Sequence, residues 1–283
     1  MRKVLTPISA LATLAAAGAA RAEDDSWQLH GFGDVSVKSD YVTPRGLVVV
    51  DDGTTVQVLN GLVAVSPHGF AIHAGTWVDL NPGYNRAENT TSVNEYDFFI
   101  GISGKIAPRL EAGVEYVQFV SGQPSVAFKD ERNIEFSLKY KDGEPGAAFT
   151  VNPYAKLFWA VDGDSTVVLG KKGDTFDVEL GAVPTYKTGD LTLSAPTWIT
   201  VGPETYWGKT GDTIDDSNFG VISTGLKATA PLSFFKGGAG ASVYAFTQYY
   251  HLLNDNLKVS RFILTRSTGR DKFTFGAGLS FGF

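Results

Sequence analysis

The chain has 283 residues, a mean hydropathy near zero and a formal net charge of −6, from 24 basic and 30 acidic side chains. This acidic balance argues against nucleic acid as a partner, because phosphate backbones attract basic surfaces. The complete absence of cysteine excludes a disulfide framework, a thiolate metal site and a thiol nucleophile. The 32 glycines with 19 Phe, 11 Tyr and 5 Trp are typical of strands whose side chains alternate between two environments.

The N-terminus has the three regions of a secretory signal peptide. Arg2 and Lys3 form a basic start, residues 4–17 are apolar or small, and residues 20–22 fit a small-x-small cleavage site. The apolar run is shorter than the roughly 20 residues that a spanning helix needs, which disfavours a membrane anchor. We therefore predict two parts, a cleaved signal peptide at 1–22 and one mature domain at 23–283, which carries 21 basic and 30 acidic residues and a net charge of −9.

Apolar and polar residues alternate with period two along nearly the whole mature chain. In the clearest case, from Phe273 to Phe283, aromatic and aliphatic residues alternate with Gly, Ser and Thr. Such a strand has one apolar face and one face of small polar residues. The alternation predicts about twelve strands, at 27–41, 55–66, 69–80, 95–106, 109–120, 132–142, 147–161, 174–187, 190–202, 218–229, 239–251 and 273–283.

The predicted connections alternate between short and long. The short ones are 66–69, 107–108, 142–146, 188–189 and 231–238, and the long ones are 42–54, 81–94, 121–131, 162–173, 203–217 and 252–272. A soluble β-sandwich would share the strand pattern but not this asymmetry. Short periplasmic turns and long outer loops are typical of bacterial outer-membrane barrels. We therefore predict an all-β fold, a single antiparallel up-and-down transmembrane β-barrel of about twelve strands with both termini in the periplasm.

Residues 39–46, Ser-Asp-Tyr-Val-Thr-Pro-Arg-Gly, begin a series of short motifs within residues 27–140. They are similar to the S-D-Y-x-x-R-G motif that ends the first strand of the TorF-type porins, a conserved bacterial outer-membrane family. Later strand motifs of the family are matched, in the same order, at 77–81, 95–97, 113–116 and 133–135. Two positions depart, an extra residue at Thr43-Pro44 and Asp79 in place of the usual Ser. The resemblance implies a porin role without an assigned substrate or catalytic residue.

The polar face of the predicted strands carries most of their charges. Because Arg or Lys facing lipid near the midplane costs about 2–4 kcal/mol, charges on one face should line a lumen. Acidic side chains outnumber basic ones there, which favours cations in a narrow polar channel. The alternative is that charges pair across strands and fill the lumen. The predicted lumen-lining residues are Asp34, Lys38, Asp40, His73, Asp79, Asp97, Lys105, Glu111, Glu115, Glu135, Lys139, Lys156, Asp177, Glu179 and Lys227.

Arg45 lies in the first long loop, at the predicted mouth of the barrel, and is close in sequence to Asp40. It could bind an anionic group or anchor the loop through an Asp–Arg pair. Anchoring is the favoured interpretation, because a bidentate pair is a usual way to hold a loop in place.

The predicted function is an outer-membrane porin or small-solute channel with a narrow polar lumen and passive or facilitated diffusion. The alternatives are a lipid-modifying enzyme barrel and a structural or adhesive barrel. An enzyme needs a nucleophile beside a base, and only His73 near Ser103 suggests such a dyad, so we predict no enzymatic activity. The modest loops disfavour an adhesin.

No cofactor and no metal are predicted. The expected partners are outer-membrane lipids and lipopolysaccharide, the barrel assembly machinery through the C-terminal strand ending at Phe283, and small polar solutes. A monomer is expected.

Overall fold

The computed structural model describes residues 26–51, 53–82, 92–122, 130–144, 146–163, 174–208, 217–232 and 240–283. The predicted signal peptide at 1–22 lies outside the described residues. No helix among the described residues combines the length and the apolar character that a membrane crossing requires.

Twelve antiparallel strands close into a barrel, in which each strand pairs with its neighbours in the chain and the last strand pairs with the first. Nine strands are continuous: β1 (Gln28–Lys38), β4 (Thr55–Val65), β5 (Phe70–Leu80), β6 (Val93–Ala107), β7 (Leu110–Ser121), β8 (Glu131–Tyr140), β15 (Phe219–Pro231), β16 (Gly240–Leu252) and β17 (Asp271–Gly282). The other three are each broken into two pieces: β9 (Phe149–Thr150) with β10 (Pro153–Gly163), β11 (Thr175–Ala182) with β12 (Thr185–Thr188), and β13 (Leu191–Ser194) with β14 (Thr197–Val201).

The predicted fold is confirmed, since every predicted strand is present and its ends differ by at most three residues from those observed. The three breaks have a common cause, because Pro153, Pro184 and Pro196 lie at or beside them. Proline has no backbone N–H and cannot donate a hydrogen bond to the neighbouring strand.

Side chains alternate between the two faces of the barrel wall. Large apolar residues such as Leu62, Ile100, Leu226 and Phe275 are exposed on the outside, and their neighbours in sequence point inward. The interior is not uniformly polar, because β1 and β4 to β7 carry an apolar cluster. This cluster consists of Phe32, Leu59, Val63, Val65, Ala71, Phe99 and Val117.

Close packing inside the barrel depends on glycine. A Cβ atom at Gly61 would lie 2.4 Å from the Phe32 ring and 2.5 Å from the backbone oxygen of Ala74. Only a residue without a side chain fits there, so Gly61 lets the Phe32 ring lie flat against the wall.

Among the described residues, three further elements lie at the end of the barrel that carries the long connections, which we call the long-loop end. They are the β2–β3 hairpin (Tyr41–Val42 and Val48–Val50), helix α1 (Glu204–Trp207) and helix α2 (Asp255–Thr265). The alternation pattern predicts only loops in these places. Helix α2 escapes that pattern because its buried side chains at a spacing of three and four include the polar Ser260 and Arg261 beside Leu257 and Leu264.

Candidate functional site

The hairpin at residues 41–50, which we call the inner hairpin, has a tight tip. The Thr43 amide donates to the Leu47 oxygen at 2.9 Å, and the Gly46 amide donates to the Thr43 oxygen at 2.9 Å. Gly46 has a φ of +90°, and a Cβ atom there would lie 2.9 Å from Cβ of Val221 on the barrel wall. Glycine therefore meets both the left-handed backbone and the close approach at this tip.

The inner hairpin crosses the lumen from one side of the barrel to the other. It follows β1, and five strands separate β1 from β10 in either direction around the ring. The guanidinium carbon of Arg45 nevertheless lies 4.7 Å from the centre of the Phe158 ring on β10. A barrel of this strand number is roughly 20–25 Å across between backbones. The hairpin therefore spans the bore near the long-loop end.

On the far wall, Arg45 faces three carboxylates. Its Nη1 lies 3.6 Å from Oε1 of Glu131, its Nη2 lies 3.9 Å from Oε1 of Glu135, and its Nε lies 3.7 Å from Oδ1 of Asp177. All four side chains are buried or nearly so, with the largest exposed fraction, 15%, at Glu135. At such low exposure, ion pairs are screened much less than at a surface.

Two aromatic rings also lie beside this guanidinium. The Phe119 ring centre lies 4.9 Å from the guanidinium carbon of Arg45, and the Phe158 ring centre lies 4.7 Å from it. Both distances fall within the range of cation–π attraction, which is stronger at desolvated sites. We call Glu131, Glu135, Asp177, Phe119 and Phe158 together the acidic cage.

The expected pair between Arg45 and Asp40 does not form, and that prediction is wrong. Asp40 instead forms an ion pair with Lys272 on β17, with 2.6 Å between Nζ of Lys272 and Oδ1 of Asp40. Asp40 remains near the end of β1, whereas the hairpin carries Arg45 across the barrel. Arg45 does hold the first loop in place, as the favoured interpretation expects, but through acids on β8 and β11.

The base of the inner hairpin is held by a second charged group. Arg261 of α2 donates to both carboxylate oxygens of Asp51, at 2.9 Å from Nε and 2.9 Å from Nη2. Lys272 lies 2.7 Å from Oδ1 of Asp51 and also binds Asp40. A two-point arginine–carboxylate contact fixes orientation as well as distance. The helix and β17 therefore clamp the hairpin where it leaves the wall.

The pKa of Asp51 predicts a pH dependence of this clamp. Burial acts to raise that pKa, but hydrogen bonds from Lys272, Ser267 and Arg261 lower it below its ordinary 3.8. Because the pKa of Asp51 is lowered in the docked hairpin, its ionised carboxylate stabilises docking in full above pH 3.8, and this stabilisation is lost as the pH falls through the lowered pKa. We therefore expect protease cleavage within the hairpin of the wild type to rise as the pH falls below 3.8.

In Asp51→Asn, cleavage should already be high at neutral pH and should depend less on acidification. Asp142 is the matched control. Backbone amides of Asn152 and Val151 lower its pKa too, but it lies in a turn at the opposite end of the barrel. Asp142→Asn should leave the pH profile of hairpin cleavage unchanged, and an equal effect of both substitutions would contradict the assignment to Asp51.

An apolar cluster backs the inner hairpin. Trp207 and Tyr206 of α1 are fully buried with their ring centres 4.7 Å apart, and they pack with Val48 and Leu257. Trp198 on β14 donates from Nε1 to the backbone oxygen of Pro44 at 3.0 Å. Both helices at the long-loop end thus pack against the inner hairpin and help to hold it in place.

The structure places the predicted lumen residues on the inward side of their strands, except Asp40, which lies just beyond the end of β1. They show three levels of exposure. The buried ones are Asp34, Asp40, His73, Asp79, Asp97, Glu111, Asp177, Glu179 and Lys227. The partly exposed ones are Lys38, Glu115, Glu135, Lys139 and Lys156. Lys105 is exposed at the end of β6 that carries the short turns.

Several of these residues meet partners that hold them in place. Asp79 accepts hydrogen bonds from Gln57, at 2.9 Å, and from Asn94. Tyr41, at the start of the inner hairpin, donates its hydroxyl to Glu95. This polar group on β4 to β6 therefore supports the near side of the hairpin, opposite the acidic cage.

A second group lies on the arc of β1, β15 and β16. Asp34 accepts a hydrogen bond from the Tyr244 hydroxyl at 2.7 Å, and Nζ of Lys227 lies 3.6 Å from the Tyr244 ring centre. Asp34 and Lys227, both predicted to line the lumen, therefore contact the same tyrosine on one side of the interior.

The dyad considered between His73 and Ser103 is not formed. The His73 Nε2 atom lies 2.6 Å from a carboxylate oxygen of Glu115, and Ser103 pairs in register with Ala71. Within the described ranges, no three His, Asp or Glu side chains are placed to hold a metal ion.

The sequence pattern misses two acids of the site, Glu95 and Glu131. Glu95 is in phase with Asp97 on β6, and Glu131 is in phase with Glu135 on β8, so the inward alternation could have found both. Phe119 and Phe158 carry no such signal, because an inward aromatic residue looks the same whether it packs or binds a cation.

No family model matches the chain, and no curated protein matches it. The resemblance to the TorF-type porins therefore stays a prediction. Among solved structures, a NanC porin is similar with a TM-score of 0.47 and 9% identity, covering 90% of this chain and 99% of that one. The COG4313 outer-membrane channel of Pseudomonas putida F1 is similar with a TM-score of 0.47 and 11% identity, covering 90% of this chain and 95% of that one.

An outer-membrane phospholipase A of Escherichia coli is also similar, with a TM-score of 0.46 and 12% identity, covering 89% of this chain and 91% of that one. The similar structures include two channels and an enzyme, so they do not assign a function to this chain. The function must be argued from the residues of the chain itself.

Proposed function

We propose that this protein is an outer-membrane channel for small polar solutes, whose bore is narrowed at the long-loop end by the inner hairpin. The observation that carries the proposal is the division of the barrel wall into an apolar outer face and a charged inner face, with a hairpin laid across the bore.

The outer face supports membrane insertion. Leu226, Phe275 and Ile100 have exposed fractions of 65%, 61% and 54%, and comparable residues follow around the barrel. Contiguous apolar surface on this scale is rare on soluble monomers. In lipid it is favourable, and a closed barrel leaves no strand edge unpaired there.

The orientation follows from the connections. Barrels of the outer membrane have short turns on the periplasmic side and longer loops outside. On this ground we place both termini in the periplasm and the inner hairpin, α1 and α2 on the extracellular side. The proposed partners are outer-membrane lipids, lipopolysaccharide and the barrel assembly machinery, the last through the C-terminal strand with its exposed Phe283. The proposed state is a monomer.

The inner charges favour cations. The three carboxylates of the acidic cage face Arg45. Asp79, Glu95 and Asp97 are further buried acids on the near side of the bore. Clustered carboxylates in a pore favour cations over anions.

Purified protein refolded into planar bilayers tests the proposal. We expect small discrete conductance steps, because the hairpin narrows the bore, and a reversal potential that favours potassium over chloride, because acids outnumber bases on the inner wall. Protein denatured by heat before addition serves as the control. The proposal fails if neither the wild type nor a variant without the hairpin tip gives steps, and if liposomes holding either protein do not swell in any small solute.

A further inference from the structure

The acidic cage is built around a guanidinium group. Arg45 reaches it from another part of the chain, with its three nitrogens 3.6 to 3.9 Å from three different carboxylates and its carbon 4.7 and 4.9 Å from two rings. Planar, weakly hydrated guanidinium combines carboxylate pairing with attraction to aromatic rings, whereas an ammonium group is a compact, strongly hydrated charge. The shape and chemistry of the cage therefore suit guanidinium better than ammonium.

The cage carries more acidic than basic side chains. Arg45 faces three carboxylates at 3.6 to 3.9 Å, and the Nζ atom of Lys156 lies at the edge of the cage, 5.8 Å from the Phe158 ring centre. The Asp177 side chain is fully buried, and the neutral hydroxyl of Tyr206 on α1 lies beside it. Buried carboxylates are costly unless cations and hydrogen bonds offset their desolvation, so a cation that fits among these three is favoured.

We propose that the acidic cage is a binding site for guanidinium-bearing solutes and that Arg45 occupies it when no solute is bound. The inference deepens the proposed function, on which it rests, by naming the solute class that the channel selects. All five residues of the cage lie on barrel strands, and Arg45 lies on a hairpin tip. The site therefore stays formed when the hairpin moves, and a solute guanidinium replaces Arg45 on the same carboxylates.

Binding can be measured without any conduction. Calorimetric titration of methylguanidinium into folded barrel in detergent compares the wild type with Arg45→Ala. We expect the variant to bind at least about tenfold more tightly, because the wild-type cage is already filled and a charge-assisted contact is worth about that factor. Methylammonium, with the same charge but no planar fork, should bind the variant at least about tenfold more weakly than methylguanidinium.

Two further variants locate the site. Arg45→Ala combined with Asp177→Asn should lose most of the methylguanidinium binding, whereas Arg45→Ala combined with Glu111→Gln, an acid at the opposite end of the barrel, should keep it. If Arg45→Ala does not fold, Arg45→Gln keeps a shorter, uncharged polar side chain at this position and gives the same comparison.

Each result decides the matter. Equal binding of methylguanidinium and methylammonium, no gain on removal of Arg45, or equal losses in the Asp177 and Glu111 variants would overturn the inference. If one of these results is obtained with a protein that conducts, the inference fails and the proposed channel function is unaffected. Methylguanidinium binding as expected in a barrel that never conducts would instead support the cage and refute the channel.

Discussion

Replacing residues 42–49 with Asn-Gly is expected to raise single-channel conductance several-fold. Tyr41 and Val50 pair with each other at the base of the inner hairpin, so a two-residue turn can join them without moving β1 or β4. The replacement removes Arg45 and the tip that crosses the bore. Because conductance grows with the open cross-section, clearing a hairpin from a narrow bore has a large effect.

Single-channel recording in planar bilayers measures this effect. The matched control inserts Gly-Ser after Gly189, in an exposed turn with a φ of +55° and no neighbouring atom within 4 Å of a Cβ built there. That insertion should leave conductance unchanged. The heat-modifiable migration of a folded barrel on a gel shows that the hairpin variant is folded. If such a folded variant conducts like the wild type, the hairpin does not obstruct passage.

Ile100→Arg is expected to lower the free energy of unfolding in lipid vesicles by about 2–4 kcal/mol. Ile100 lies at the middle of β6 on the outer face with an exposed fraction of 54%. If the barrel spans a bilayer, this position is close to the midplane, where a charged side chain is most costly. Reversible urea unfolding in vesicles gives the measurement.

Phe219→Arg is the matched control for depth. Phe219 is exposed to 49% and begins β15 at the long-loop end, so it should lie near the membrane interface. The expected cost there is about 0–1 kcal/mol. Equal small costs at both positions would be the behaviour of a soluble surface and would contradict membrane insertion.

The strands could be predicted closely because their signal is local. Successive side chains of a strand point to opposite faces whatever the rest of the chain does, so apolar and polar residues alternate along it. This alternation predicts the ends of β6, β7 and β8 to within two residues. Connection lengths then distinguish a closed up-and-down barrel from a sandwich. The acids at Asp97, Glu135 and Asp177 follow from the same alternation.

The site itself could be predicted only in part. Arg45 is recognisable as a residue that anchors the first loop, but its partners lie 86 or more residues away in sequence. Pairing it with Asp40 is the natural guess from nearness along the chain, and it is wrong because the hairpin turns inward. The helix at 255–265, whose Arg261 holds Asp51, is hidden by its mixed polar and apolar buried face.

By itself the amino-acid sequence determined the all-β class, the twelve strands, their inward and outward faces and the division into short and long connections. Period and spacing are properties of neighbouring residues, so no long-range information is needed. Only the tertiary structure decided that the first long loop crosses the bore, and that one arginine meets three carboxylates and two rings on the opposite wall. Those contacts depend on barrel closure, which brings distant strands within a few ångströms of the hairpin tip.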